Sequence, residues 1–367
     1  MYEFRIYPTG KQRHRLFTQF DLCSKLYNNL LGDARTAYKE TGKADTRKFT
    51  LINAIKTAKG KDPNLSQVYS QSLQNVGDRL SKAYANFFRR IKERKAGKNI
   101  KAGFPRFKKH FRSITYPQSG FSFKSDNRLF CSKIGNIPIV LHRVPKGKIK
   151  TLTIKRNQAG QWFATFACEV NIKAVRNKGK AVGIDVGLEN FATLSDGVVI
   201  ENPKFLRKSE DRVKLLQRRV SRKVKGSKNR RKAKHRLAKL HLKVTNQRKD
   251  FCHKLSHRLV TEYSKINVEK LGIKNMLRNH HLAKSISDAS WNDFIQKLSY
   301  KALSAGSVVV EVNPRGTSQR CSNCGEIVKK SLRIRQHTCP TCGLSIHRDL
   351  NAALNICASS TVGLTGT

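Results

Sequence analysis

The sequence predicts a mixed fold, α+β in the first half and α/β in the second. Three observations lead to this fold class. Apolar residues recur at helical spacing over residues 10–100, alternating strand patterns follow over 119–172, and a new pattern of strands and helices begins after Lys180. The length of 367 residues favours two or three domains, and a hydrophobic content of 38% is sufficient for packed cores.

The first half is predicted to be a sheet with a helical insertion. Alternating apolar residues predict a half-buried strand at residues 2–6, and apolar stripes over 16–31 and 73–91 predict two helices that pack on one another. Residues 152–170 predict a hairpin, because two alternating runs flank a loop that contains asparagine and glycine. We expect the first strand to join this sheet, so that the helices are inserted between its strands.

The second half is predicted to contain short strands, a basic helical hairpin and a final helix. Residues 181–185 form an apolar strand that ends in a carboxylate, and two more short strands flank Asp196-Gly197. Residues 212–249 hold 17 Lys and Arg and no Asp or Glu, and Gly226-Ser227 interrupts their helical pattern. Further strands are predicted at 265–269 and 308–312, and further helices at 291–302 and from residue 347.

The charge of the chain indicates a polyanionic partner. The chain holds 75 Lys and Arg against 24 Asp and Glu, which gives a formal net charge of +51. Residues 1–180 hold 39 basic and 10 acidic side chains and residues 181–367 hold 36 and 14, so both halves share the excess. This distribution favours nucleic acid as the partner, because an unneutralised charge of this size would oppose compaction.

Membrane and secreted classes do not fit the sequence. No stretch approaches the roughly 20 apolar residues that span a bilayer, and the first residues lack the basic and apolar regions of a secretory signal. Nine cysteines is an odd number, which together with the lack of a signal favours a reducing compartment over a disulfide framework.

Two segments are candidates for nucleic-acid contact. Residues 104–112 interleave phenylalanines with basic side chains, which can stack bases and contact phosphates, although a connector with its aromatics packed into a neighbouring core fits equally well. Residues 212–249 lack the mixed signs of an ordinary solvated helix face, which favours phosphate contact. The candidate contact residues are Arg106, Lys108, Lys109, Arg112, Arg218, Arg219, Lys225, Lys228, Arg230, Arg231 and Arg320.

Four cysteines form two pairs with the spacing of zinc ligands. Fourteen residues separate Cys321 and Cys324 from Cys339 and Cys342, and a glycine follows each pair, as is common in the tight turns of zinc knuckles. Four thiolates close a tetrahedral site with Zn–S distances of about 2.3 Å and no open position, so we expect one structural Zn²⁺. The other five cysteines lie in apolar patterns and are expected to be core residues: Cys23, Cys131, Cys168, Cys252 and Cys357.

Three carboxylates stand at element boundaries in a chain with few acids. Asp185 and Glu269 end predicted strands, and Asp349 begins the final helix. If these ends meet, the acids stay ionised only beside a cation, and hard oxygen ligands suit Mg²⁺ or Mn²⁺, two of which can support phosphodiester hydrolysis. The pattern leaves open that Asp185 caps a turn and that Glu269 is a surface residue.

Five sequence stretches follow one another in a characteristic order. They are residues 183–190 (GIDVGLEN), 225–230 (KGSKNR), 268–271 (VEKL), 317–324 (TSQRCSNC) and 348–353 (RDLNAA). This order resembles the TnpB family of insertion-sequence proteins, relatives of the type V CRISPR effectors. The similarity covers nearly the whole chain; it is specific from about residue 180 to 357 and weak over 10–100.

The resemblance implies a domain organisation. An RNase H-like (RuvC-type) nuclease domain would span residues 176–313 and 347–358, with a zinc ribbon inserted at 314–346. A β-rich wedge domain would span residues 1–9 and 101–175 and carry a helical recognition lobe at 10–100. Residues 359–367 are expected to form a disordered tail.

The resemblance also implies an activity. Asp185, Glu269 and Asp349 would be the catalytic acids and would bind two Mg²⁺ or Mn²⁺ ions. The protein would be an RNA-guided DNA endonuclease that uses a guide RNA from its own element and cuts both strands of target DNA beside a short flanking motif. We expect a monomeric protein in the prokaryotic cytoplasm, nucleoid-associated when bound to DNA.

Two other functions remain open at this stage. One is a non-cleaving RNA- or DNA-binding regulator of the transposon, and the other is a guide-independent nuclease of resolvase type. The three acids argue against the first, and a defined RNA that purifies with the protein would argue against the second. A structural ribosomal role leaves the acids unexplained.

Overall fold

The structure, a computed structural model, describes residues 1–171, 177–331 and 334–359. The chain divides into two units, residues 1–171 and residues 172–367. The domain boundary expected between residues 175 and 176 therefore lies outside the described residues. So does the expected tail, apart from Ser359, which ends the last helix. Within the described residues, none of the helices has the length and apolar character to cross a membrane.

Residues 1–171 form seven strands, three α-helices and one 3₁₀ turn at Pro63–Gln67. The elements in chain order are β1 (Tyr2–Ile6), α1 (Gly10–Thr41), α2 (Lys48–Lys61), α3 (Ser70–Lys95), β2 (Ser113–Pro117), β3 (Phe121–Lys124), β4 (Arg128–Cys131), β5 (Gly135–Val140), β6 (Lys148–Arg156) and β7 (Trp162–Glu169). Helix α1 starts at a capping box, in which Thr9 and Gln12 each accept a hydrogen bond from the other's backbone N–H.

The seven strands form an antiparallel sheet in the order β2-β6-β7-β1-β5-β4-β3. Strand β1 lies between β7 and β5 and pairs Tyr2 with Phe166, which confirms the prediction that the first strand joins the later sheet. Leu16 of α1 and Leu73 of α3 share one buried core with Phe166, so the predicted helices pack on the sheet.

Two parts of this unit differ from the prediction. The sheet begins at Ser113 rather than near residue 119, so Tyr116 lies in strand β2 and is fully buried. Pro117 ends the same strand, where it is tolerated because β2 is an edge strand. Helix α2 was not predicted, since only Leu51 and Ile55 of its residues are buried and two positions do not reveal a period.

The described residues from 177 onward form seven further strands and six helices. They are β8 (Ala181–Val186), β9 (Asn190–Leu194), β10 (Val199–Glu201), α4 (Phe205–Ser221), α5 (Lys228–Glu262), β11 (Lys265–Glu269), α6 (Ile273–Met276), α7 (His280–Ala289), α8 (Trp291–Ala305), β12 (Val308–Val312), β13 (Gln336–Thr338), β14 (Ser345–His347) and α9 (Arg348–Ser359). The predicted basic hairpin is confirmed as α4 and α5, with Gly226 at a φ of +88° in the connection.

Five of these strands form a mixed sheet in the order β10-β9-β8-β11-β12. Strands β8, β9 and β10 are antiparallel, whereas β11 is parallel to both β8 and β12. The register of β11 pairs Lys265 with Ala181 and Val268 with Ile184. The carboxyl ends of β8 and β11 therefore lie side by side at one edge of the sheet.

One face of this sheet is covered by helices α5 and α8. Val182 and Ile184 of β8 belong to the same buried cluster as Leu259 of α5 and Phe294 of α8. Because successive side chains of a strand point to opposite faces, Gly183 and Asp185 must face the other way. The same alternation in β11 places Ile266 and Val268 in the cluster and turns Asn267 and Glu269 to the opposite face.

Asp288 joins three helices beside this core. Its carboxylate accepts hydrogen bonds from the backbone N–H groups of Leu206 and Arg207 in the first turn of α4. The Arg248 guanidinium of α5 donates to the same carboxylate at 2.7 and 2.9 Å, and the Asp288 side chain is only 8% exposed. An anion at a helix N-terminus is stabilised by the unpaired N–H groups there, so this residue fixes the base of the basic hairpin.

Candidate active site

The three acids singled out in the sequence meet on one face of the five-stranded sheet. Asp185 stands near the end of β8, and Glu269 ends β11 one residue beyond the pair of Val268 with Ile184, which brings it opposite Asp185. Asp349 lies in the first turn of α9 and is buried, with 8% of its surface exposed. Three separate elements thus supply the three carboxylates.

Helix α9 reaches these strands because Gly183 has no side chain. A Cβ atom at Gly183 would lie 2.1 Å from the carbonyl oxygen of Ala353 and 2.5 Å from the backbone nitrogen of Cys357. The Asn267 side chain of β11 also donates to the carbonyl oxygen of Cys357 at 3.1 Å. These contacts fix α9 against β8 and β11, and they set the position of Asp349 at its start.

The acids interact electrostatically. Burial and the neighbouring carboxylates of Glu269 and Asp349 raise the pKa of Asp185 to about 8, and the charge of Arg348 opposes this shift. Burial also raises the pKa of Glu269, although the hydrogen bond from Thr317 acts in the opposite direction. Two neighbouring carboxyl groups whose pKa is raised, Asp185 and Glu269, would be stabilised in their ionised form by a divalent cation. Carboxylate oxygens are the type of ligand that Mg²⁺ and Mn²⁺ prefer.

Basic side chains surround Asp349. Arg335 donates to the exposed Glu189 at 2.9 Å, and its other terminal nitrogen lies 3.8 Å from the Asp349 carboxylate. Arg348 Nε lies 3.5 Å from the same carboxylate, and His347 Nδ1 accepts from the Asp349 backbone N–H at 3.3 Å. The negative charge of Asp349 is therefore partly balanced by the neighbouring side chains of Arg335 and Arg348.

The four predicted zinc ligands converge. The sulfurs of Cys321, Cys324, Cys339 and Cys342 all lie within 4.8 Å of one another, and the pairs Cys321–Cys342 and Cys324–Cys339 are separated by 3.6 and 3.5 Å. Tetrahedral ligands about 2.3 Å from a central Zn²⁺ would lie about 3.8 Å apart. The spacing of the sulfurs therefore fits one zinc ion, and the cysteines are not joined by disulfides.

The two cysteine turns have the same backbone geometry. Gly325 donates to the carbonyl oxygen of Cys321 and Gly343 to that of Cys339, and both glycines have positive φ values of 82° and 72°. This left-handed conformation favours glycine, which explains why one follows each pair. The turns direct backbone N–H groups towards the sulfurs.

The pKa values of Cys324, Cys339 and Cys342 are shifted in different directions. The backbone of Leu344 and the side chain of Asn323 lower the pKa of Cys342 to about 6, and the backbone of Cys342 and of Thr341 lowers that of Cys339. The Glu326 backbone acts to lower the pKa of Cys324, but burial and the three neighbouring sulfurs raise it to about 12. Sulfurs that share protons in this way suit a soft divalent cation, which replaces those protons.

Sequence reasoning missed the residues that join the cysteine cluster to the acids. Asn351 and Asn355 of α9 both donate to the carbonyl oxygen of Arg320 at 2.7 Å, and Asn355 also donates to that of Thr317. Thr317 in turn contacts Glu269. The available signal was two amides four residues apart in an apolar helix, because a buried amide requires hydrogen-bond partners.

The candidate nucleic-acid residues of the first unit lie in the segment between α3 and β2. Arg106, Lys108, Lys109 and Arg112 are exposed. Phe111 of the same segment is buried against Tyr27, whereas Phe104 contacts Tyr84 and Phe87 but stays 40% exposed. Phe107 is 52% exposed beneath the Arg35 guanidinium. One side of this segment therefore packs against the protein, and the other side presents exposed basic side chains.

The candidate residues of the second unit fall into two groups. Arg218, Arg219, Lys225, Lys228 and Arg320 are exposed. By contrast, Arg230 is half-buried and donates to the carbonyl oxygen of Lys223, and Arg231 donates to that of Gly226. These two guanidinium groups close the connection between α4 and α5.

The remaining cysteines differ in burial. Cys23, Cys131 and Cys252 are buried, as expected for core residues, and burial raises the pKa of Cys23 and of Cys252 to about 12 and about 11. Cys168 and Cys357 are only partly buried. Cys168 packs against the first core.

Comparison with known proteins places the chain in a family. Residues 165–280 match the family model described as "Probable transposase" (OrfB of IS605), and residues 291–356 match "Cas12f1-like, TNB domain". A "Putative RNA-guided DNA endonuclease" of Streptomyces pristinaespiralis is 35% identical over 98% of this chain and 88% of its own length. The similarly named InsQ of Escherichia coli K12 is 31% identical over 98% and 91%. The chain belongs to the TnpB family.

A further family model covers the start of the chain. Residues 1–43 match the model described as "Helix-turn-helix domain". In this structure those residues hold β1 and the uninterrupted helix α1. In this member of the TnpB family, the matched segment therefore adds one strand to the sheet and one helix to the core.

Solved structures show that this chain shares its fold with Cas12f1 and CasPhi-2. The chain aligns with Cas12f1 from its complex with sgRNA and target DNA at a TM-score of 0.56 and 16% identity, covering 94% of this chain and 82% of that one. CasPhi-2 (Cas12j) bound to crRNA and phosphorothioate DNA aligns at 0.51 and 11% identity, covering 100% and 92%. These likenesses confirm the mixed helix and sheet architecture that the sequence predicts.

Proposed function

We propose that this protein is a transposon-encoded, RNA-guided DNA endonuclease that cleaves double-stranded target DNA beside a short flanking motif. The names of its relatives support this activity, and membership of the family supports its link to a transposon. The observation that carries the proposal is that Asp185, Glu269 and Asp349 come together from three separate elements on one partly buried face of the sheet.

The domain organisation implied by the TnpB family is part of the proposal. A RuvC-type nuclease domain would comprise residues 176–313 and 347–358, with the zinc ribbon at 314–346. The sheet order supports it, because a three-stranded antiparallel meander extended by two parallel strands is the arrangement of an RNase H-like fold. The wedge domain would comprise residues 1–9 and 101–175, and the recognition lobe residues 10–100.

The acids would hold two Mg²⁺ or Mn²⁺ ions. Asp185 would bind both cations, and Glu269 and Asp349 would bind one each. When bound, two such cations supply electrostatic stabilisation for in-line phosphodiester hydrolysis. The protein groups around them orient the carboxylates: Thr317 contacts Glu269, while Arg335 and Arg348 lie beside Asp349.

The four cysteines would hold one structural Zn²⁺. Four sulfur ligands leave no open position, so this ion would stabilise the fold of residues 314–346 rather than take part in hydrolysis. Asn351 and Asn355 attach this module to α9, next to Asp349.

The partners would be a guide RNA from the protein's own element and the target DNA. The net charge of +51 supports extensive phosphate contact, because an RNA–DNA hybrid of about 20 base pairs carries about 40 phosphates by analogy with Cas9-type recognition. We further propose that a single copy of the chain acts in the complex, in the prokaryotic cytoplasm and on the nucleoid.

The test is cleavage of plasmid DNA by the complex purified with RNA from its own locus. We expect the wild type to linearise a plasmid that carries the matching target in the presence of Mg²⁺, and Asp185→Ala to leave it intact, because loss of a metal ligand removes the site. Equal cleavage by both proteins would contradict the assignment of Asp185. Cleavage of plasmid by RNA-free protein would favour a guide-independent nuclease, and binding without cleavage would favour a regulator.

A further inference from the structure

Thr317 makes a contact that links two sites. Its side-chain hydroxyl lies 2.5 Å from Glu269 Oε1, although the residues are 48 positions apart in the chain. Only 8% of Thr317 is exposed. Thr317 lies in the loop that leads from β12 to Cys321, so this contact crosses from the cysteine module to the acid site.

The hydroxyl has two acceptors within reach but one hydrogen. The carbonyl oxygen of Pro314 lies at 3.2 Å and the Glu269 carboxylate at 2.5 Å. Hydrogen bonds to carboxylates are shorter and stronger than bonds to neutral carbonyls, so the hydrogen belongs to Glu269 when that group is ionised. The contact with Pro314 is the local turn interaction that Thr317 would make in any case.

The backbone of Thr317 is itself fixed by helix α9. Asn355 donates to the Thr317 carbonyl oxygen at 2.8 Å and to that of Arg320 at 2.7 Å. Asn351 donates to the same Arg320 oxygen at 2.7 Å and accepts from Ser322 N–H at 2.9 Å. Asn351 is fully buried, and Asn355 is 9% exposed.

This arrangement constrains Glu269 in a way that β11 alone does not. The terminal torsion of a glutamate side chain is broad, so the carboxylate plane is not set by the rotamer. A donor on Oε1 restricts this torsion and so narrows the orientations of the carboxylate. Groups that hold a metal-binding carboxylate in this manner commonly affect metal affinity.

We propose that Thr317 is a positioning residue, whose hydroxyl orients Glu269 for a divalent cation and whose own position is set by the cysteine module and α9. This role rests on the proposed function, since it assumes that Glu269 binds a metal. It assigns the cysteine module a second task besides folding, because any shift of residues 317–322 would rotate the Glu269 carboxylate.

The test replaces the hydroxyl and measures the Mg²⁺ requirement directly. We expect Thr317→Val, which conserves shape, to raise by about 10- to 100-fold the Mg²⁺ concentration that gives half of the thermal stabilisation that the RNA complex gains over the Asp185→Asn complex, in which the RNA alone responds to Mg²⁺. The Mg²⁺ dependence of plasmid cleavage should shift in parallel. Thr317→Ser keeps the hydroxyl and should restore the wild-type requirement. Zinc content should stay unchanged in both variants.

Thr338→Val is the matched control, because Thr338 lies in the same module and its side chain hydrogen-bonds with the Ser345 hydroxyl rather than with an acid. It should leave the Mg²⁺ requirement unchanged. If the valine variant loses zinc or fails to fold, Thr317→Ala provides the same test with a smaller side chain.

Two results would overturn the role of Thr317, and they are distinguishable. If the Mg²⁺ requirement is unchanged in Thr317→Val while Asp185→Asn shows a smaller Mg²⁺ stabilisation than the wild type, Thr317 does not position Glu269 and the proposed function stands. An equal Mg²⁺ response in the wild type and Asp185→Asn would show that the acids do not bind the cation, which removes both.

Discussion

The pKa of Asp185 is set by the residues immediately around it. Asp185 is one of 24 acids in a chain with 75 basic residues, yet the pKa of its side chain is raised to about 8 rather than lowered. Burial is the largest cause, and the two neighbouring carboxylates add to it. The charge of the whole chain therefore does not control this carboxyl, because it is shielded from most of those cations and close to two anions.

The raised pKa predicts a pH dependence of stability in buffer without Mg²⁺ and without chelator. In the unfolded chain Asp185 ionises near pH 4, whereas in the folded protein it holds its proton up to about pH 8. Between these values the folded state binds more protons, so the contribution of Asp185 to the free energy of unfolding falls as pH rises, by at most about 1.4 kcal/mol per pH unit. Asp185→Asn cannot ionise and should become more stable than the wild type as pH rises from 5 to about 8.

Urea denaturation at several pH values measures this difference. Asp250→Asn is the control, because Asp250 forms an exposed pair with Lys254, and exposed pairs contribute little to stability. The difference in free energy of unfolding between this variant and the wild type should therefore change little with pH. A difference between Asp185→Asn and the wild type that does not grow with pH would contradict the burial of Asp185.

At the scale of elements, the site depends on the contact between β8 and α9. Asp185 and Asp349 belong to different elements, and Gly183 allows the backbone of the helix to pack directly on the strand. The same helix holds the loop at 317–322 through Asn351 and Asn355. One helix therefore positions both Asp349 and the segment that leads into the cysteine cluster.

Gly183→Ala is predicted to be strongly destabilising. Its Cβ would overlap the backbone of Ala353 and Cys357, and backbone atoms cannot turn aside as a flexible side chain can. Overpacking of a core typically costs about 1–3 kcal/mol and occasionally more, so we expect a loss at or above the upper end of this range. The free energy of unfolding from urea titration provides the measurement.

Gly272→Ala serves as the comparison for this substitution. Gly272 has a negative φ of −78°, and its nearest neighbour to an added Cβ is the Asn275 side chain at 4.0 Å. Because Gly272 is the N-cap of the short helix α6, where alanine is disfavoured, the alanine should cost no more than about 1 kcal/mol. Equal stability of the two alanine variants would show that α9 does not pack against Gly183 as described.

At the scale of the whole molecule, the excess of positive charge is a property of both halves of the chain. Many of the basic side chains are exposed, among them Arg106 in the first unit and Arg219 in the second. Some cations are already neutralised, as in the pair of Arg47 with Asp45. The exposed, unpaired fraction is the part available to a polyanion, and it determines how binding responds to salt.

Binding of the guide RNA is therefore predicted to weaken steeply with salt. If six to ten phosphates are contacted, affinity should fall by about 10³- to 10⁵-fold between about 50 and 200 mM salt. Removal of one phosphate contact, as expected for Arg219→Gln, should reduce the slope of log affinity against log salt by about 0.7 to 0.9. Filter binding of RNA from the element across a salt series measures both quantities.

Arg47→Gln is the control for the salt series, since Asp45 already compensates this guanidinium. Its slope should equal that of the wild type. A shallow slope for the wild-type protein would show that the charge excess is not used for phosphate contact.

The sequence by itself determined the features that depend on local spacing. The period of apolar residues predicted β1, α1, α3 and the basic hairpin, because burial of one face is a local property of each element. The two Cys-x-x-Cys pairs and their glycines predicted the sulfur cluster for a similar reason, since each knuckle is a turn of a few residues. Helix α2 escaped prediction because only two of its residues are buried.

Only the tertiary structure decided which chemical groups meet. The pattern left open that Asp185 caps a turn and that Glu269 is a surface residue, whereas the parallel register of β8 with β11 brings the two residues together at adjacent strand ends, where both are partly buried. The sequence around Thr317 and the sequence around Glu269 do not predict the hydrogen bond between them, because this bond depends on where α9 holds the loop before Cys321. Local periodicity fixes which face of an element is buried, whereas register and helix–strand packing fix what lies opposite that face.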